Sequence, residues 1–166
     1  MILAKTNIPQ TLIAMESTNF VYGTCNNPWA PERTPGGSSG GAAVAVAAGI
    51  GPIGIATDGG GSTRIPAAAN GMAGLKQSNG VIPHSQVADA FGNYTYVTPM
   101  TRTVMDTALM LDAMAGPHPA DPLTVGRPAG GYSVAARAEG DLAGLRVAWR
   151  PRLGNATVAA DVLRLC

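Results

Sequence analysis

Apolar residues in this chain come in short blocks separated by glycine, proline and serine, and the spacing within the blocks changes along the sequence. Met1–Lys5 reads as the end of a strand, with turn residues Asn7, Pro9 and Gln10 following. Residues Pro28–Gly41 form a polar loop rich in proline, glycine and serine. The Ala/Val block Ala42–Ala48 predicts a short buried helix that stops at Gly49. Ile53–Thr57 predicts a short buried strand, Asp58–Ser62 a second glycine-rich turn, and Ile65–Asn70 is apolar and alanine-rich again. Further on, Thr103 and Asp106 form a Thr-x-x-Asp variant of the capping box, and Val104, Ala108, Leu111 and Ala115 recur at helical spacing until Gly116-Pro117. The methionines of this helix, Met105, Met110 and Met114, read as core packing. Residues 117–141 read as a linker-like crossing, Leu145–Trp149 as a strand and Val158–Leu165 as the start of a helix.

The chain of 166 residues is long enough for one domain, and its 46% apolar and 13% charged residues fit a folded chain better than a disordered one. Eleven basic residues against ten acidic ones give a net charge of +1, without a basic stripe. Nucleic acid is therefore not an expected partner. The apolar stretch Gly40–Ala56 is short for a membrane span and is interrupted by Gly49, Gly51 and Pro52, so no membrane partner is expected either. The first residues show no charged leader followed by an apolar run, so the expected location is the cytoplasm. Cys25, Cys166, His84 and His118 show no metal-ligand spacing, so neither a metal nor another cofactor is expected.

The candidate chemistry lies in two glycine loops, Gly36-Gly37-Ser38-Ser39-Gly40-Gly41 and Asp58-Gly59-Gly60-Gly61-Ser62-Thr63-Arg64. Consecutive backbone N–H groups in such turns converge on an oxygen that gains negative charge, and a serine beside them can act in acyl transfer. Two simpler motifs also match. Gly49-Ile50-Gly51-Pro52-Ile53-Gly54 has the glycines of a dinucleotide fingerprint, but it leaves a helix and enters a strand, the reverse of the required context. Gly37–Gly41 fits the nucleophile elbow around Ser39, but Thr34-Pro35-Gly36 stands where a strand should be. Its histidine would have to be His84 or His118, and both read as surface residues.

Taken together, the residues resemble the amidase signature family. The match runs through Arg33–Ala43 and Gly54–Pro66, with Ala4-Lys5-Thr6-Asn7 and Asn27-Pro28-Trp29 upstream. Downstream it continues through Gly74-Leu75-Lys76, Gly80-Val81-Ile82-Pro83 and Thr98–Thr103, and it covers most of Met1–Gly116. The resemblance implies an α/β fold, with a mixed sheet core covered by helices and incomplete at both ends. On that reading residues 1–116 are core, 117–141 the crossing and 142–166 the start of a further strand-helix unit. It also implies hydrolysis of a small-molecule amide by a Ser–cis-Ser–Lys unit. Ser62 would be the nucleophile and Ser38 the bridging serine after a cis peptide bond. The N–H groups of Gly59, Gly60, Gly61 and Ser62 would form the oxyanion hole, with Ser39, Asp58 and Arg64 bracing the loops.

The family's catalytic lysine lies several tens of residues before the bridging serine, and the resemblance places it outside this chain. Lys5 and Lys76 match other lysines of the family. The expectation is thus an amidase segment that is inactive alone. Two alternatives stand beside it, an A-type component of the glutamyl-tRNA amidotransferase and a non-catalytic remnant. Ile65, where the tRNA branch carries glutamine, and Gln77, where proline is common, weigh against the first.

Overall fold

The computed structural model describes residues 2–84, 95–138, 140, 143–152, 154 and 157–165; Met1 and Cys166, which enter the sequence reading, lie outside them. A single 3-10 turn at Gln10–Leu12 is followed by a short antiparallel hairpin, β1 (Thr18–Asn19) with β2 (Gly23–Thr24). Helix α1 (Gly40–Ala47), strand β3 (Ile53–Asp58), helix α2 (Arg64–Asn70), strand β4 (Ala73–Gly74), strand β5 (Tyr96–Thr101) and helix α3 (Val104–Met114) follow. The three strands form a sheet in the order β3-β5-β4, and both pairs are antiparallel. Ile53 is opposite Thr101 and Asp58 opposite Tyr96. Helices packed on a sheet give the expected helix-and-sheet fold, although every pair of strands in this sheet is antiparallel rather than mixed.

Helix α1 is apolar on all sides and buries Gly40, Gly41, Ala42, Ala43 and Val46. It ends in a Schellman motif, in which Ile50 N–H donates to the Ala45 carbonyl at 2.9 Å and Gly49 N–H to Val46 at 3.1 Å. Gly49 has a φ of 77°, a left-handed conformation that glycine adopts without a steric penalty. Helix α2 carries Pro66 in its first turn, where no intrahelical N–H is needed. The core cluster is small: Ala43, Ala56 and Met100, with Met72 packed against it.

Several expectations change in the structure. Strand β3 is at an edge of the sheet and only one face is covered, so Ala56 and Asp58 are buried while Ile53 and Ile55 are exposed. Ile2–Lys5 is not a strand, because it has no ladder partner among the described residues. For the same reason Leu145–Trp149 is not a strand, and Leu145, Val147 and Trp149 are exposed. The cap of α3 forms as expected, with Thr103 Oγ1 accepting from Asp106 N–H at 3.1 Å. The buried stripe of that helix is Thr107, Ala108, Met110 and Leu111, while Val104 faces outward. Of its methionines, Met110 is buried and Met105 and Met114 are half-buried.

Residues 117–141 carry a tight turn at Pro122–Thr124 and a helix, α4 (Tyr132–Arg137). The Asp112 carboxylate on α3 accepts from the N–H groups of Tyr132 and Ser133 at 2.8 and 3.0 Å, which fastens α4 to α3. A last helix, α5 (Ala160–Leu165), matches the expected helix start near Val158. No described helix is long and apolar enough to cross a membrane.

Candidate active site

The site is built where the two glycine loops meet. One loop leads into α1, and the other connects the end of β3 to α2. Ser39 N–H donates to the Ser62 carbonyl at 3.2 Å, so the loops are joined through the main chain. The Ser39 hydroxyl accepts from Thr57 N–H at 3.2 Å and donates to Thr57 C=O at 3.3 Å. Ser39 is therefore engaged with β3. The peptide bond between Gly37 and Ser38 is cis. Gly37 lies so close to the preceding segment that a Cβ there would be 2.6 Å from the Ala14 carbonyl oxygen and from Glu16 N. Only a residue without a side chain allows that approach.

Asp58 holds the second loop. It is fully buried, and its carboxylate accepts from Gly61 N–H at 2.7 Å and from Thr63 N–H at 3.2 Å. The Arg64 guanidinium forks onto it through Nε at 3.0 Å and Nη2 at 2.9 Å. Burial pushes the Asp58 carboxyl up, but the Arg64 side chain and the N–H groups of Gly61, Thr63 and Arg64 together hold it below its ordinary value. The loop is thus wrapped around a buried anion with five donors. Thr63 adds a hydroxyl bond to the Thr57 carbonyl at 3.2 Å and a close hydroxyl pair with Thr98 on β5.

A second layer fixes the first loop from behind. The buried Asn70 amide donates to the carbonyls of Pro35 and Pro66, both at 2.7 Å, and so links the end of α2 to the residue before Gly36. Asn27 Nδ2 donates to Ala69 C=O at 2.8 Å and Trp29 Nε1 to Asn70 C=O at 3.0 Å. These bonds satisfy carbonyls at the C-terminus of α2 that the helix itself leaves open.

The loops border a cavity of about 430 Å³. Gly37, Ser38, Thr57, Gly59, Gly60 and Ser62 form one side, and Thr11, Leu12, Ile13, Ala14, Met15, Ile65 and Thr95 the rest. Ser38 and Ser62 therefore share one cavity. Since Gly61 N–H is committed to Asp58, the amides that have no acceptor among the described residues are those of Gly59, Gly60 and Ser62. Neither Lys5 nor Lys76 lines this cavity. Lys76 Nζ donates to Gln77 C=O at 3.0 Å and lies 3.6 Å over the Tyr96 ring, while Lys5 borders a separate cavity of about 710 Å³. His84 and His118 are also outside the serine cavity; their backbone N–H groups bond to Asp121 and Thr124.

Sequence reasoning did not foresee the wall formed by Thr11–Met15 or the bracing role of Asn70. Thr11 and Leu12 take left-handed conformations, with φ of 56° and 61°. Nothing in Thr11–Met15 marks it as part of a cavity, since it acquires that role only by coming beside the distant loop that holds Ser38. A buried asparagine at the end of an alanine-rich helix was the one available signal for Asn70.

The family described as Amidase matches residues 1–166. The chain is 49% identical over 164 residues to an acylamidase of Rhodococcus erythropolis, covering 99% of this chain and 34% of that protein. It is 41% identical over 148 residues to the A-type component of the glutamyl-tRNA(Gln) amidotransferase of Mycobacteroides abscessus, covering 88% of this chain and 30% of that one. Among solved structures, a bacterial aryl acylamidase of the amidase signature family superposes with a TM-score of 0.72 at 40% identity, over 78% of this chain and 26% of that chain. The native peptide amidase from Stenotrophomonas maltophilia gives a TM-score of 0.70 at 34% identity, over 78% and 28%. The chain spans about a third of the length of the curated relatives it matches.

Proposed function

The chain belongs to the amidase family, and from that premise we propose that it carries the nucleophile of an amide hydrolase, with Ser62 attacking the substrate carbonyl. The observation that supports this most directly is the meeting of Ser38, Ser62 and the amides of Gly59 and Gly60 at one cavity. A proton leaves Ser62 Oγ for Ser38 and passes on to a neutral lysine. Ser62 Oγ bonds to the carbonyl carbon, and the charge on the carbonyl oxygen is met by the N–H groups of Gly59, Gly60 and Ser62. The C–N bond then breaks, the leaving amine takes a proton back through Ser38, and water hydrolyses the Ser62 ester.

The base is a lysine that neither Lys5 nor Lys76 supplies, since neither lines the cavity. We assign it to polypeptide outside these 166 residues, which leaves the isolated chain without turnover. Covalent labelling of the protein, expressed from its own gene, with a fluorophosphonate tests the nucleophile. Ser62→Ala is expected to abolish labelling, and Ser38→Ala to slow it about a hundredfold or more. Labelling that survives Ser62→Ala overturns the assignment. Turnover by the isolated chain overturns the placement of the lysine.

The second reading, ammonia supply within a tRNA amidotransferase, rests on the 41% identity to the Mycobacteroides abscessus protein. Two observations favour the plain amide hydrolase: the 49% identity to an acylamidase, and the aliphatic Ile65 at the cavity. Glutamine-dependent ammonia release would favour the tRNA branch.

A further inference from the structure

Behind the serine cavity lies a line of hydroxyls that the proposed chemistry does not use. Thr63 and Thr98 are fully buried, and neither lines the cavity. Thr63 follows Ser62 directly and is held on several sides. Its N–H donates to Asp58 at 3.2 Å, and its hydroxyl donates to the Thr57 carbonyl at 3.2 Å. Its Cγ2 lies 3.2 Å from where a Cβ on Gly74 would be, so the methyl packs over that glycine of β4. A threonine hydroxyl has one hydrogen, and here Thr57 receives it. In the close pair with Thr98, Thr98 therefore donates and Thr63 accepts. The Thr57 carbonyl also accepts from the Ser39 hydroxyl at 3.3 Å, using its second lone pair. A continuous path thus runs from Thr98 on β5 through Thr63 to Thr57 on β3, and on to Ser39 in the first loop.

Ser62 is held from both sides. Its carbonyl accepts from Ser39 N–H, the residue before it is fixed through Gly61 N–H on Asp58, and the residue after it is Thr63. The torsions at Ser62, and with them the direction of its Oγ, depend on where Thr63 sits. The strand register sets that position: Ala56 is opposite Thr98, and Thr57 opposite Val97. Valine would fill the space of Thr98 without a polar atom to satisfy, so what the hydroxyl adds is the bond to Thr63. We propose that Thr98 is a positioning residue, whose hydroxyl acts through Thr63 to aim Ser62 at the substrate carbonyl. This rests on the reading of Ser62 as the nucleophile. A displacement of about 1 Å in an attacking atom slows bond formation on the order of a hundredfold, so a hydroxyl outside the cavity can still govern the rate inside it.

The test is inactivation by a fluorophosphonate, followed against reagent concentration so that reversible binding and bond formation to Ser62 are read separately. It uses the protein expressed from its own gene, with a melting temperature taken on the same samples. Thr98→Val keeps the shape and removes the hydroxyl. Well below the melt, its bond-forming rate is expected to fall about tenfold or more, with reversible binding unchanged. Thr98→Ser keeps the hydroxyl and removes the methyl, and it is expected to label at the parent rate even where its melting temperature falls. The parent rate in Thr98→Val, or equal slowing in both variants, would overturn the proposal, because a purely structural role follows packing and not the hydroxyl. If Thr98→Val does not fold, a folded Thr98→Ser that labels slowly overturns it equally. Failure of the Ser62 assignment shows separately, as labelling that persists in Ser62→Ala.

Discussion

The backbone N–H of Ser39 donates to the carbonyl of Ser62 across 3.2 Å, so the two loops of the candidate site share a bond that side-chain replacement leaves in place. The Ser39 hydroxyl, by contrast, bonds to both the N–H and the carbonyl of Thr57. Ser39→Ala is therefore expected to lower stability by about 1–2 kcal/mol while nucleophile labelling persists. Thermal unfolding read beside fluorophosphonate labelling checks this. Loss of labelling in a folded variant would make Ser39 part of the chemistry.

Asp58 is expected to give stability that depends on pH. Although burial raises its carboxyl, the donors of Arg64, Gly61 and Thr63 outweigh that effect, and the group titrates below the ordinary value in the folded protein. The unfolded chain therefore takes up the proton first. The stabilisation is complete above about pH 4, the ordinary Asp value, and is lost as pH falls through the lower, folded value. Asp58→Asn is expected to cost about 3 kcal/mol at neutral pH, the low end for a broken buried pair because the Arg64 side chain is 55% exposed. Denaturant titrations between about pH 6 and 3 should show the two proteins converging as the acid increases. A constant gap would refute this account.

Gly37→Ala should open the site from the back. The new methyl would overlap the Ala14 carbonyl and both backbone polar atoms of Glu16, at 2.6–2.7 Å. Relief requires moving Ala14 and Met15, which border the cavity. A cost of about 1–3 kcal/mol is expected, together with slower labelling of Ser62. A melting temperature and labelling rate equal to the parent would show that the approach is not tight.

Asn70 offers a test remote from the serines. Removing its amide by Asn70→Ala leaves the carbonyls of Pro35 and Pro66 without their donor in a buried setting. Destabilisation of about 2–3 kcal/mol is expected. Hydrogen exchange should quicken first at Gly36–Gly41, the loop that Pro35 anchors. Unchanged exchange there would place the role of Asn70 within α2 alone.

How far the sequence alone reaches can be seen element by element. Gly49 closing α1, Thr103 capping α3 and the glycine turn after Asp58 were all legible, because each depends on bonds spanning only a few residues. The order and spacing of Ser38, Asp58, Ser62 and Arg64 likewise point to the amidase family. Elements that need a distant partner were legible only in part: β3 was, while its burial and the fate of Leu145–Trp149 were not. Leu145–Trp149 has the alternation of a strand, but alternation does not provide the neighbour whose N–H and C=O groups complete a ladder. Ile53 and Ile55 read as buried, yet they are exposed because side chains alternate across a strand and the covered face of β3 is the one carrying Ala56 and Asp58.

The sequence by itself determined the local chemistry: which turns glycine permits, which helix ends are capped, and which serines stand among backbone donors. Tertiary structure alone decided that Thr11–Met15 lines one cavity with Ser38 and Ser62, that Gly61 N–H is held by Asp58, and that Lys5 and Lys76 lie outside that cavity. The reason is physical. Contacts between segments far apart in the chain depend on how the elements pack, and no residue's own conformational preference encodes its distant neighbour.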